Sequence, residues 1–314
     1  MRGFPGKAGG GGAPWLSVAV HGDRIDLAQV QLQAGARPAV RMCDSVPRTG
    51  TDLETLGRVR RSVQPRSVRL SHLLGTGQYQ MQMVEAPGVP RQELKQAVRW
   101  KLKDLLDYPV DAATVDVADI PTDPAGAARG HFVYAVSARN EQIAARMKLF
   151  HDARLPLQAI DVPEMAQRNI ARLFEEPNRG LALLAFDERG AMLTFTSGGE
   201  MYMSRYTDIT VGQLASPASA TREQSLERLV LELQRSIDHF DRQFSYVTLS
   251  RLLVAPVPVD GLEQHLADNL YLPVQTLDLS QVLELSGVPG LRDPMQQSAR
   301  LHLLGAALRT EPVG

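Results

Sequence analysis

The residues able to carry chemistry are few and scattered. Histidines stand at 21, 72, 131, 151, 239, 265 and 302. No two are three or four apart, so no helix face presents a pair of imidazoles to a metal. His239 lies between Asp238 and Asp241, a spacing that could serve as an acid/base dyad; a solvated face of a charged helix is the preferred reading. Gly75-Thr76-Gly77 lacks the strand-to-helix context of a phosphate cradle and reads as a turn. GxxxxGKS/T, GxSxG and HExxH are missing from the sequence. The single cysteine, Cys43, can neither close an internal disulfide nor build a cysteine-rich zinc site. Arg58, Arg60, Arg61, Arg66 and Arg69 crowd one helix–strand junction and could dock an acidic peptide or anionic headgroups, though a solvated face is again preferred. Trp100, between Val98 and Leu102, is open to two readings: a partner anchor, or packing at the edge of an apolar stripe.

Composition narrows the classes. The chain has 314 residues, with 34 Lys and Arg against 35 Asp and Glu, so no overall charge draws it to nucleic acid. A hydrophobic fraction of 44% and a charged fraction of 22% are ordinary globular usage. The length suggests two domains. The longest apolar run, Leu181 to Phe186, is far short of the ~20 residues of a membrane-spanning helix. Residues 1–13 carry four consecutive glycines and no apolar signal core, and are expected to be a flexible leader of a cytoplasmic protein.

Periodicity supplies the elements. Leu16, Val18 and Val20 alternate ahead of a His21–Arg24 turn, and Ile25 and Leu27 resume the pattern, predicting a hairpin. Helices are expected over 52–63, 91–106, 140–152 and 162–174, the last capped by Asp161. Strands are expected over 66–73, 78–84, 114–120 and 131–136. From Asn178 a second block begins: strands over 181–186, 191–196 and 201–206, then the strongest helix, in which Leu226, Leu229, Val230, Leu233, Ile237, Phe240 and Phe244 keep the 3.6 period. A strand over 248–255, a helix over 262–270, a strand over 274–277 and a helix over 298–308 complete it. Each half opens with consecutive strands and buries a helix against them, which predicts an α/β chain of two lobes.

The run Val89-Pro90-Arg91-Gln92-Glu93-Leu94, through Ala97-Val98-Arg99-Trp100, to Tyr108-Pro109-Val110-Asp111 resembles a stretch of the PilM-like, actin/FtsA-type family of type IV pilus machines. Trp100 to Val110 is most similar to its mannose-sensitive haemagglutinin (MSHA) pilus branch. The resemblance continues through Asp161-Val162-Pro163, Arg205, Leu233-Gln234-Arg235-Ser236 and Leu304 to Arg309. It implies a two-lobed actin-like α/β fold. The first lobe would cover 14–177 with a small inserted subdomain near 75–161. The second would cover 178–314, with helix 298–308 packing back on the first. The stretch between Arg205 and the 222–244 helix is short, so the subdomain that roofs the nucleotide should be reduced.

The same resemblance marks where the nucleotide contacts should lie, and there the pattern breaks. Ala19 stands where the family has an acid, His21 where it has glycine, and Asp26 where lysine is common. Asp187 is kept, but Glu188 and Arg189 follow it in place of an apolar residue and glycine. Pro256 and Pro258 stand where a Gly-Gly turn is expected, fixing φ and offering no N–H. The expectation is a chain that has lost ATP and Mg²⁺, has no ATPase activity and needs no other cofactor or metal. It would act as a cytoplasmic scaffold, held at the inner membrane by the N-terminal peptide of a PilN-like single-span protein. Trp100, rimmed by Arg99, Lys101 and Lys103, would line the peptide groove. Two rivals stay open: a weak Mg-ATP-dependent ATPase using Asp187, and a cytoplasmic platform component of type II secretion.

Overall fold

The structure is a computed structural model and describes residues 13–123 and 130–310. The expected leader, but for Ala13, lies outside the described residues, as does part of the loop expected between Pro121 and Gly130.

Two five-stranded sheets of the same topology form the frame. The first comprises β1 (Trp15–Val20), β2 (Arg24–Gln31), β3 (Ala39–Pro47), β4 (Arg69–Leu73) and β8 (Leu157–Asp161), in the order β3-β2-β1-β4-β8. Its first three strands are antiparallel; β1, β4 and β8 run parallel. The second comprises β9 (Gly180–Phe186), β10 (Ala191–Ser197), β11 (Glu200–Thr207), β12 (Leu249–Val254) and β13 (Val274–Thr276), in the order β11-β10-β9-β12-β13. It has the same pairing senses. The chain is an α/β protein of two lobes.

Sandwiched between the sheets are α4 (Pro163–Ala171) and α9 (Leu301–Ala307). Gly305 makes their crossing possible: a Cβ there would lie 2.1 Å from the Ala166 carbonyl oxygen. The core around them takes Ala19, Ala28 and Leu73 from the first sheet and Leu181, Leu183 and Leu253 from the second. On the far side of the first sheet lie α1 (Asp52–Ser62) and α3 (Asn140–Asp152), around Leu56 and Phe150. A Thr51/Glu54 capping box starts α1. The far side of the second sheet carries α6 (Ser219–Gln243) and α7 (Leu262–Asn269). The predicted apolar stripe forms that core, with Leu229, Leu233, Ile237 and Phe240 all buried and Phe240 stacked on Phe195 at 4.7 Å. Between β11 and α6 there is only α5 (Val211–Leu214).

Leaving the first sheet after β4, the chain builds a third, β5 (Gln80–Glu85), β6 (Ala113–Asp119) and β7 (Phe132–Arg139), in the order β5-β7-β6, with α2 (Arg91–Lys101) between β5 and β6. One face packs on α2 through Val84, Leu94, Val98, Leu102, Val115 and Val133. The other meets the second lobe through Tyr134 and Ile120. Phe150, Ala153 and Leu155 belong to the first lobe's core. The separately packed insert therefore ends near Arg139, short of the expected 161.

Several boundaries differ from expectation for local reasons. The helix expected to reach Leu106 ends at Lys101; the Leu102 N–H is shared between the Val98 and Arg99 carbonyls, and 103–106 continue as turns before Pro109. Pro163 at the first helical position makes Val162 the N-cap of α4; Asp161 instead ends β8 and pairs with Arg309. The expected C-terminal helix is two, α8 (Pro294–Ala299) and α9, broken at Arg300. Strands β3 and β8 lack a legible alternation because β3 is a largely exposed edge and β8 is five residues long.

Candidate functional site

The β1–β2 hairpin carries the first of the three turns, and its Asp26 meets Arg300 of the second lobe. Ala19 is buried against the α4/α9 layer, so no side-chain donor or acceptor stands there. His21 Nε2 lies 3.1 Å from Asp26 Oδ2, and Arg24 Nε donates to the same oxygen at 3.2 Å. Ser45 Oγ donates to Asp26 Oδ1 at 2.6 Å, and the Arg300 guanidinium pairs with the carboxylate from the α8–α9 break. Burial alone would raise the Asp26 carboxyl; hydrogen bonds from His21 and Ser45 and the charge of Arg300 outweigh it and hold it well below the usual carboxylate range. Asp26 is only 3% exposed. This end of the cleft is a closed ion cluster built from one lobe plus Arg300.

On the opposite side stands the β9–β10 turn. Asp187 Oδ1 accepts from the Arg189 and Gly190 backbone N–H groups at 2.8 and 2.9 Å and from Tyr206 Oη at 2.7 Å. Its Oδ2 accepts from Thr76 Oγ1 at 2.7 Å. Burial opposes ionisation here too, but these four donors keep the carboxyl below its ordinary range. The turn does contain a glycine, Gly190, one place later than the expected position. It closes tightly: a Cβ on Gly190 would fall 1.9 Å from the Thr207 carbonyl oxygen. The two amides that such a turn could offer an anion are consumed by Asp187 itself. Arg189 reaches across the cleft and donates from Nη1 to the Thr76 carbonyl at 2.9 Å.

The third turn follows β12. The Ala255 N–H donates to Leu184 O and the Val259 N–H to Val257 O. Pro256 is buried and Pro258 exposed, and neither has an N–H to present.

The open site lies on the insert. A groove of about 760 Å³ runs between α2 and the edge strand β6, lined by Gln92, Gln96, Trp100, Val115 and Asn140 among others. Trp100 is 70% exposed, which decides between its two readings in favour of a surface side chain. Arg91, Lys95 and Arg99, one helical turn apart, pair with Asp119, Asp116 and Asp111 at 3.5, 3.2 and 3.9 Å. Arg99 also donates to the Val110 carbonyl at 2.8 Å. Lys101 turns instead to Glu85 at 3.8 Å on the other side of the helix, and Lys103 is exposed in the turn beyond it. Of the four residues expected around this site, only Trp100 and Arg99 line the groove; the helical step of about 100° per residue sends Lys101 away.

Among the arginines noted at the helix–strand junction, Arg58 is tied to the Pro47 and Thr49 carbonyls and Arg69 lies over the Trp15 ring, while Arg60, Arg61 and Arg66 are exposed. His239 is half-buried on α6.

No family model matches the chain, and no curated protein matches it. Solved structures do. A chain of a structure described as the PilM–PilN type IV pilus biogenesis complex superposes with a TM-score of 0.71 at 19% identity, covering 95% of this chain and 99% of that one. The fold is PilM-like and actin-like. A Bacteroides thetaiotaomicron protein with an actin-like ATPase fold follows at a TM-score of 0.50 and 8% identity, covering 95% and 96%. At such identities the likeness concerns the fold.

Sequence reasoning missed the residues that close this PilM-like cleft: Ser45, Thr76, Tyr79, Glu164, Tyr206 and Arg300. Only Gly75-Thr76-Gly77 left a signal, and it was legible only as a turn.

Proposed function

We propose that this chain is a non-catalytic platform protein of type IV pilus biogenesis, of the MSHA type and corresponding to MshI. In this reading it takes up the cytoplasmic N-terminal peptide of a PilN-like inner-membrane protein and is held at the membrane through it. The observation that carries the reading is the likeness over 95% of the chain to a component of the PilM–PilN complex. The sequence similarity, densest over 89–111, adds to it, and that segment contains α2 with its exposed Trp100. Among the described residues no helix is long and apolar enough to cross a membrane, which agrees with attachment through a partner.

The groove suits an extended peptide. It carries an exposed indole and is crossed by ion pairs that can exchange with a ligand's charges. Calorimetric titration with the N-terminal peptide of the PilN-like protein encoded nearby should give saturable binding that Trp100→Ala weakens. No heat at millimolar peptide would sink the peptide role.

In the same reading the cleft does not use ATP, Mg²⁺ or another cofactor. Ala19, His21, Asp26, Arg189, Pro256 and Pro258 leave few donors for a triphosphate, and the acids already have partners. Losing several contacts of about 1–3 kcal/mol each moves a micromolar site to millimolar or weaker. A micromolar dissociation constant for Mg-ATP would favour the ATPase reading instead.

A further inference from the structure

Polar groups on the walls of the cleft are met by this chain's own residues, and one short segment supplies several of those contacts. Gly75 to Tyr79 links β4 of the first lobe to β5 of the insert. Thr76 uses two of its polar groups across the cleft: its hydroxyl donates to Asp187 Oδ2 at 2.7 Å and its carbonyl accepts from Arg189 Nη1 at 2.9 Å. Three residues on, Tyr79 Oη donates to Glu164 Oε2 at 2.5 Å, capping a carboxylate in the first turn of α4. Gln78 shapes the segment by accepting the Gly75 N–H on its side-chain oxygen at 3.0 Å. Gly77 has φ +88°, and a Cβ there would stand 2.3 Å from Arg189 Nη1. A side chain at 77 would be strained and would displace the guanidinium.

We infer that Gly75–Tyr79 is a built-in latch: it satisfies Asp187 and Glu164 on the walls of the cleft and pins the second-lobe turn at 187–190 to the root of the insert. Two independent contacts carry this. The Thr76 pair ties the first lobe to the second, and the Tyr79 bond ties the same segment to α4. A latch differs from incidental packing because it is polar, reciprocal and confined to five consecutive residues. Elsewhere the lobes meet through the apolar layer around α4 and α9, through the Asp26–Arg300 and Asp161–Arg309 ion pairs and through the backbone bond from the Val40 N–H to the Glu284 carbonyl; none of these lies on the 187–190 turn. Hydrogen bonds are directional, so the latch adds an angular restraint where the root of the insert meets the second lobe. Tyr206, which bonds Asp187 from within the second lobe, provides an internal control: its loss loosens the acid without cutting the connection between the lobes.

The test is hydrogen–deuterium exchange on the full chain without nucleotide or peptide. In T76V/Y79F, amide exchange at 75–79 and 187–190 should accelerate roughly fivefold or more, with the β1, β9 and α6 amides unchanged. Arg189→Gln, a milder change at an exposed residue, should give the same pattern at 75–77 and serves if the double variant folds poorly. Tyr206→Phe should leave exchange at 75–79 at the parent rate. Unchanged exchange at both turns in T76V/Y79F and R189Q overturns the latch, as does a uniform rise throughout the chain. Because no peptide is present, either result leaves the peptide reading to its own titration.

Discussion

The cleft and the insert groove differ in what their polar and aromatic groups face. In the cleft, Asp26 meets His21, Arg24, Ser45 and Arg300, and Asp187 accepts from four donors, all from this chain. On the insert, the most exposed large apolar side chain of the described residues, Trp100, faces water above a strand edge. A buried carboxylate with a full set of donors gains nothing from a ligand and loses its partners to one. An exposed indole beside a groove gains by being covered. Of these two regions of the actin-like frame, one is closed by its own residues and the other is left open. Folding free energy should depend on the first and partner affinity on the second.

The largest effect should come from the cleft. Arg300→Ala leaves Asp26 buried with a smaller set of cationic partners and should cost about 3–5 kcal/mol in urea unfolding. The double variant Asp26→Leu/Arg300→Met removes both charges and should recover most of that loss. Because the Asp26 carboxyl is held below its ordinary range, its contribution is present above the unfolded pKa of about 4 and lost as pH falls below it. If Arg300→Ala costs less than about 1 kcal/mol, the cleft is wet and the comparison with the groove fails.

A second effect lies in the histidine behind the hairpin. His72 is 1% exposed and lies 3.0 Å from the Val18 carbonyl through Nδ1. Burial, with smaller contributions from Arg146 and His21, pushes it down to about 4 despite that bond. The unfolded chain, titrating near 6.5, then binds more protons than the folded one between pH 6.5 and 4. Stability is full above that window and falls through it, by up to about 1.4 kcal/mol per pH unit for this group. His302, pushed down to about 4 by burial, adds a loss of the same sign. His72→Phe should flatten the slope of unfolding free energy between pH 4.5 and 6.5 by about one proton; equal slopes in parent and variant would show that His72 charges freely.

The groove should respond in the opposite way. Trp100→Ala should weaken the peptide by at least about 1 kcal/mol and shift the melting temperature little, since the ring contributes almost no core. A folded Trp100→Ala protein that binds the peptide as tightly as the parent would place the peptide elsewhere.

How much of this was legible in the sequence depended on whether a residue acts through its neighbours in the chain or through distant ones. The α6 stripe could be read because a helix repeats every 3.6 residues: the buried apolar residues Leu229, Leu233, Ile237 and Phe240 keep that period, while Ser236, also buried, does not show as apolar. The two-lobed frame could be read from the order of strands and helices. Trp100 could be singled out, but not its exposure, because the stripe residues Val98 and Leu102 sit on either side of it. The cleft chemistry was mostly hidden. Arg300 is 274 residues from Asp26 in sequence (300 minus 26) and sits at an unexpected helix break; Thr76 meets Asp187 over a separation of 111. No local pattern encodes such pairs. The losses at Ala19, His21, Pro256 and Pro258 could be seen only by resemblance, and resemblance says what is missing rather than what has taken its place.

The smallest expected effect tests whether the groove is open to solvent. Arg91, Lys95 and Arg99 bridge α2 to β6, and in Lys95–Asp116 the two side chains are 57% and 79% exposed. Asp116 Oδ1 also accepts the Val117 N–H at 3.0 Å, so the carboxylate keeps a donor when the lysine is removed. Exposed pairs of this kind contribute a few tenths of a kcal/mol and are screened by salt. Lys95→Ala should therefore change unfolding free energy by no more than about 0.5 kcal/mol, and raising the salt to 0.5 M should shrink even that difference. The ladder would then be a rim whose charges can be exchanged for a peptide's at little cost. A loss of 2 kcal/mol or more, insensitive to salt, would mean that the ion pairs are struts holding α2 on the sheet. The space between α2 and β6 would then be structural, and the contrast with the cleft would narrow to Trp100 alone.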